Sequence, residues 1–130
     1  MVEVAKIRAV LFARDFRRVA VFYSRVLGMT HESGDDGHAL LKHDDFELVV
    51  HQIPRHLAEG ITISDPPVRR ESGAVRLDHP VGDVANSRAL AKSLGGAIDE
   101  FPPPWADADT NFYLGFDPEG NVFGVSQRSA

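Results

Sequence analysis

Set against itself at an offset of 68, this chain follows one plan twice: Asp15 falls on Asp83, Gly28 on Gly96 and Arg8 on Arg76. Each aspartate is an N-cap candidate that follows a strand-like run, Lys6 to Ala13 in the first half and Ala74 to Val81 in the second. The first of these runs, with IRAVLFA as its apolar body, reads as a buried strand. After Asp15, residues Val19, Phe22, Tyr23, Val26 and Leu27 recur at helical spacing, and Gly28 stands where a C′ glycine belongs. After Asp83, residues Val84, Ser87, Leu90, Ala91 and Leu94 form a second helical stripe that ends at Gly95-Gly96. Strand, helix and glycine stop, written twice, limit the fold more than any single motif does.

The segments beyond each helix extend the plan. His38 to Lys42 and Phe46 to His51 are short apolar-rich runs around His43-Asp44-Asp45, the pattern of a hairpin. In the second half Ala97 to Phe101 reads as a strand, followed by the loop FPPPW. Asn111 to Phe116 then pairs with Val122 to Gln127 across the turn DPEGN. Residues 54–73, with Pro54, Pro66 and Pro67 and many charges, lose all periodicity and read as a connecting segment. A repeat of about 60 residues is too long for a solenoid unit. The expectation is one α+β domain of residues 1–130 made of two βαβββ modules, about 1–53 and 74–130.

The 130 residues suffice for a single core, and the shares of apolar (43%) and charged (25%) residues are those of a soluble globular protein. Without cysteine there is no disulfide, thiol nucleophile or cysteine zinc site. The net charge of −5 and the lack of a basic stripe argue against nucleic acid as a partner. No run approaches the roughly 20 apolar residues that span a bilayer. The start, MVEVAKIRAV, lacks the apolar core of a signal peptide, so a cytoplasmic location is expected.

Three stretches carry a resemblance. DFRRVAVFYSRVLGM resembles the first helix of the vicinal oxygen chelate superfamily, which includes glyoxalase I, bleomycin-resistance proteins and extradiol dioxygenases. VGDVANSRALAKSLGG is similar to that superfamily's second helix, and FDPEGNVF to its final DPxGN hairpin. The resemblance implies paired βαβββ modules curled into a cup-shaped mixed sheet, and a homodimer with a small-molecule ligand or metal in the cup. Enzymes of the superfamily usually hold a divalent metal through one position on the first and one on the last strand of each module. Carried onto this chain, those positions fall on Arg8, Glu47, Arg76 and Gly124.

That set is wrong for a cation. Arginine has five donors, no acceptor and a permanent charge, and glycine has no side chain. One carboxylate does not build a transition-metal site. No cofactor is therefore expected, and the reading is a protein that binds a small aromatic or anionic compound in the cup without the family metal. The alternative is a metal-dependent lyase, isomerase or dioxygenase with a displaced site of Glu47, His51 and Asp78. Between them stands a metal-free enzyme with His51 as its base, since an imidazole's ordinary pKa allows proton transfer near neutrality.

Arg8 and Arg76 would hold an anion in bidentate fashion, or else pair with Glu47 and Asp78. Phe12 shares a strand face with Arg8 and would line the cup. Trp105, on the proline-stiffened loop, would form a wall or lid, or only anchor that loop. Phe22 and Tyr23 are read as core, His79 as facing away from the cup, and His31, His38 and His43 as solvated residues in or beside turns.

Overall fold

In a computed structural model, which describes residues 6–107 and 109–128, the chain runs twice through strand, helix and three further strands. The first half contains β1 (Ile7–Ala13), α1 (Phe16–Val26), β2 (Thr30–Gly34), β3 (His38–His43) and β4 (Phe46–Gln52). A single helical turn, α2 (Arg55–Ala58), interrupts the connecting segment. The second half contains β5 (Leu77–Val81), α3 (Val84–Ser93), β6 (Ala97–Ile98), β7 (Phe112–Phe116) and β8 (Val122–Gln127).

The strands form two four-stranded mixed sheets, ordered β1-β4-β3-β2 and β5-β8-β7-β6. In each, the strand before the helix pairs in parallel with the last strand of its half, and the other neighbours are antiparallel. No ladder joins β1 to β5, so the mixed sheet stays open between these two edges instead of running through as one surface.

Both helices begin where the aspartates stand. The Asp15 carboxylate accepts from Arg18 N and that of Asp83 from Asn86 N, each meeting an otherwise orphaned donor of the first turn. Gly28 takes φ +66° just past α1, a conformation that costs glycine nothing. α1 then lies on the first sheet, α3 on the second, and the two helices pack together. Phe22 and Tyr23 are fully buried there, their rings 5.8 and 5.7 Å from that of Phe123 on β8. One apolar core thus spans both halves.

Several sequence boundaries are corrected. β1 is not a buried strand: Ala9, Leu11 and Ala13 turn toward the core, while Val10 and Phe12 are about half exposed on the other face. His31 lies on β2, a strand that the polar run THESG does not announce. All five residues of β2 are exposed, because it gains its place from pairing with β3 and not from burial. His38 and His43 stand at the two ends of β3, beside turns as expected, but half-buried instead of solvated. β5 starts only at Leu77, which leaves Arg76 just ahead of the strand, and β6 is cut to two residues as the chain turns into the proline-rich loop.

Candidate functional site

A cleft of about 520 Å³ opens where the edges of β1 and β5 face each other unpaired. Part of its wall is apolar: Val10 from β1, Leu77 from β5, Leu114 from β7 and Val122 from β8. Arg76 and Trp105 also border it. Arg70, Glu71, His79 and Asn121 add polar groups, and a cavity of this size walled by both kinds of side chain has the character of a small-molecule site.

The geometry around Arg76 explains the glycine of the last strand. The guanidinium donates to both oxygens of Asp78, at 2.7 Å from Nε and 3.0 Å from Nη2. It also lies 5.2 Å from the centre of the Trp105 ring and 5.3 Å from that of Phe112, within cation–π range of both. The hydrogen bonds to Asp78 raise the pKa of Arg76 above its already high ordinary value. Asp78 pairs in register with Gly124. A Cβ at Gly124 would run into the Asp78 carboxylate and come within 2.7 Å of the Phe112 ring. Gly124 is bare because its neighbours fill the place of a side chain.

On the first sheet the same strand face carries two cross-strand rows. Arg8, Glu47 and Lys42 stand side by side on β1, β4 and β3, and the Arg8 guanidinium meets Glu47 Oε1 at 3.0 Å. Phe12, His51 and His38 form the second row. The His51 ring lies 5.5 Å from that of Phe12 and 6.3 Å from that of His38, nearly parallel to the latter. His51 Nδ1 is 2.9 Å from the carbonyl of Gln52, which can only accept, so Nδ1 is the donor in that hydrogen bond. His51 does not border the cleft.

Of the residues singled out in the sequence, the structure brings Arg76, Asp78 and Trp105 together with Gly124. Arg8 with Glu47, and Phe12 with His51, make two further groups on the other sheet. Sequence reasoning missed His79 as a cleft residue. Its side chain is buried on the face opposite Asp78, as alternation requires, yet it borders the cleft because β5 is an edge strand. Burial chiefly, then the nearby His43, lowers its pKa to about 4 against the opposing pull of Asp78, so the imidazole is neutral at pH 7. Its ring packs edge-on against Phe46, 5.7 Å away.

The family model of the glyoxalase-like domain matches residues 8–126, nearly the whole chain. The chain belongs to the glyoxalase-like domain family, and with it to the vicinal oxygen chelate superfamily. Solved structures with this fold include a glyoxalase/bleomycin resistance protein from Albidiferax ferrireducens (15% identity, TM-score 0.66, covering 95% of this chain and 98% of that one). A second is the fosfomycin resistance protein FosX from Listeria monocytogenes, complexed with Mn(II) and sulfate (9% identity, TM-score 0.66, covering 99% and 93%). A third is a bleomycin resistance determinant encoded on transposon Tn5 (20% identity, TM-score 0.55, covering 98% and 100%). No curated protein matches.

The superfamily's metal can be tested against the residues present. Of the four ligand positions, Arg8 and Arg76 hold permanent cations, Glu47 is engaged by Arg8, and Gly124 is walled in by Asp78 and Phe112. This donor set does not fit a divalent cation. Glu47, His51 and Asp78 each engage a different neighbour, and Asp78 stands on the other sheet. Among the described residues no three His, Asp or Glu side chains stand where they could hold a metal ion. No helix among the described residues is long and apolar enough to cross a membrane.

Proposed function

We propose that this glyoxalase-like domain binds a small planar aromatic or anionic compound in the cleft between β1 and β5, without the metal of its superfamily. One observation carries the reading: the Arg76 guanidinium, clamped by Asp78, stacks with Trp105 and Phe112 at the border of a cleft with an apolar wall of Val10, Leu77, Leu114 and Val122. The apolar wall would take the body of the ligand, and the exposed Trp105 ring offers a stacking face. The part of Arg76 not used by Asp78 would donate to an acidic or carbonyl oxygen. Arg8 and Glu47, closed on each other 3.0 Å apart, would shape the adjoining surface instead of contacting the ligand.

The domain would act as one unit of two modules, paired with a second copy through the exposed face of β1, and in the cytoplasm. No specific observation favours the rearranged metal enzyme, and His51, away from the cleft, is not placed to act as its base.

Trp105 is the only tryptophan, so its fluorescence reports on this site alone. Planar aromatic acids titrated against the protein should quench or shift that emission to saturation. Arg76→Gln should weaken binding by roughly tenfold, the worth of one charge-assisted hydrogen bond. Tight stoichiometric binding of Mn(II), Zn(II) or Ni(II) that disappears with Glu47→Gln would overturn the reading.

A further inference from the structure

A second recess lies under α1 in the first half of the chain. It is a groove of about 540 Å³ between the outer side of α1 and strands β2 and β3. Its floor is made by Ala20, Val21, Ala39 and Leu41, and Val21 is about half exposed there.

β2 carries a register shift between His31 and Ser33 and is exposed throughout, so it does not close under the helix.

Charge marks the groove as more than a packing fault. In a chain of net charge −5, α1 (FRRVAVFYSRV) holds three arginines and no acid. Arg17 stands in the first turn, where the helix dipole disfavours a cation, so helix stability does not account for it. Arg17 and Arg25 border the two ends of the groove, eight residues and about 12 Å apart along the helix. The ends differ. At the Arg17 end stand Asp35, which holds His38 at 2.9 Å, and Asp36, which meets Arg17 at 3.3 Å. At the other end Arg25 enters none of the ion pairs among the described residues, nor does His31, whose ring turns toward Gly34.

We propose that this groove is a binding site for an amphipathic monoanion, an alkyl or aryl carboxylate. The chain or ring would lie on Ala20, Val21 and Leu41, and the carboxylate would meet Arg25. An apolar floor with an unpaired guanidinium at one end matches that class of ligand in both shape and charge. The site is separate from the cleft between β1 and β5, and stands or falls independently of it.

Octanoate is a suitable probe, followed by amide shifts in 15N-labelled protein. The expected result is saturable shifts at Ala20, Val21, Leu41 and Arg25. Arg25→Glu should weaken octanoate by roughly tenfold or more and Arg25→Gln by less, since the first reverses the charge and the second only removes it. Trp105→Ala should leave the affinity unchanged. Shifts centred on Val10, Leu77 and Leu114, no saturable shift at any soluble concentration, or equal binding by wild type and both Arg25 variants would each overturn the proposal. So would groove shifts that follow protein concentration and ignore octanoate, which would assign the surface to a second copy of the chain.

Discussion

At the scale of single residues, His79 shows how burial sets the pH range of the fold. Its folded-state pKa of about 4 lies below the ordinary 6.5, so protonation favours the unfolded chain. This contribution to stability is complete above pH 6.5 and is lost as the pH falls toward 4, by about 3 kcal/mol across that window. Asp117 works in the opposite sense, because burial raises its pKa and its protonation favours the folded state. Comparing wild type with His79→Asn at each pH removes Asp117 from the result. Urea midpoints should show the variant losing less stability than wild type between pH 7 and pH 4.5, and parallel losses would sink this account. The sequence made His79 legible only as a residue on the face opposite Arg76. That the opposite face also reaches the cleft depends on β5 being an edge strand, which no local pattern states. Gly124 was legible in the other direction: its position in the DPEGN hairpin named the missing ligand, but not the Asp78 carboxylate and Phe112 ring that occupy its space.

At the scale of elements, the DPEGN turn does more than connect β7 to β8. Asp117 is fully buried and accepts from the Tyr23 hydroxyl at 2.8 Å, from Asn121 Nδ2 at 2.9 Å and from the backbone of Glu119 and Asn121. Burial, with the charge of Asp117 behind it, holds the Tyr23 phenol well above its ordinary pKa, so it stays a donor. Glu119 reaches the first half directly, its two oxygens accepting from Arg14 N at 2.7 Å and Asp15 N at 2.8 Å. The turn thus fastens the end of the second sheet to the start of α1. Glu119→Ala should leave two backbone donors beside α1 unmet and cost about 2–4 kcal/mol by chemical denaturation. Glu119→Gln, which keeps an acceptor, should cost roughly half as much. Equal stability of all three proteins would mean that water replaces the carboxylate without loss. The turn itself was plain in the sequence, as were both N-caps and both helix stops, since each rests on neighbours within a few residues. Its partners were not, because they lie about 94 and 104 residues away in the chain.

At the scale of the whole molecule, the duplicated plan places both helices on one side and leaves the opposite faces of the two sheets open. On β1 that face carries Arg8, Val10 and Phe12, with Val10 49% and Phe12 58% exposed; Trp105, in the proline-rich loop near β7, is 63% exposed. Apolar side chains grouped on an edge strand are an association surface, since contact with a like surface removes them from water at about 25 cal/mol per Å². Here the proposed second copy of the chain has its physical ground. Phe12 is the informative position, as it lies on that face without bordering the cleft. Sedimentation velocity should show a wild-type dimer at micromolar concentration and a Phe12→Glu monomer that keeps its fold by circular dichroism. If the monomer also keeps its Trp105 response to aromatic acids, the cleft is complete within one chain. If that response is lost with the dimer, the second copy supplies part of the wall. A wild type that sediments as a monomer at all concentrations would leave the exposed face of β1 to the ligand alone.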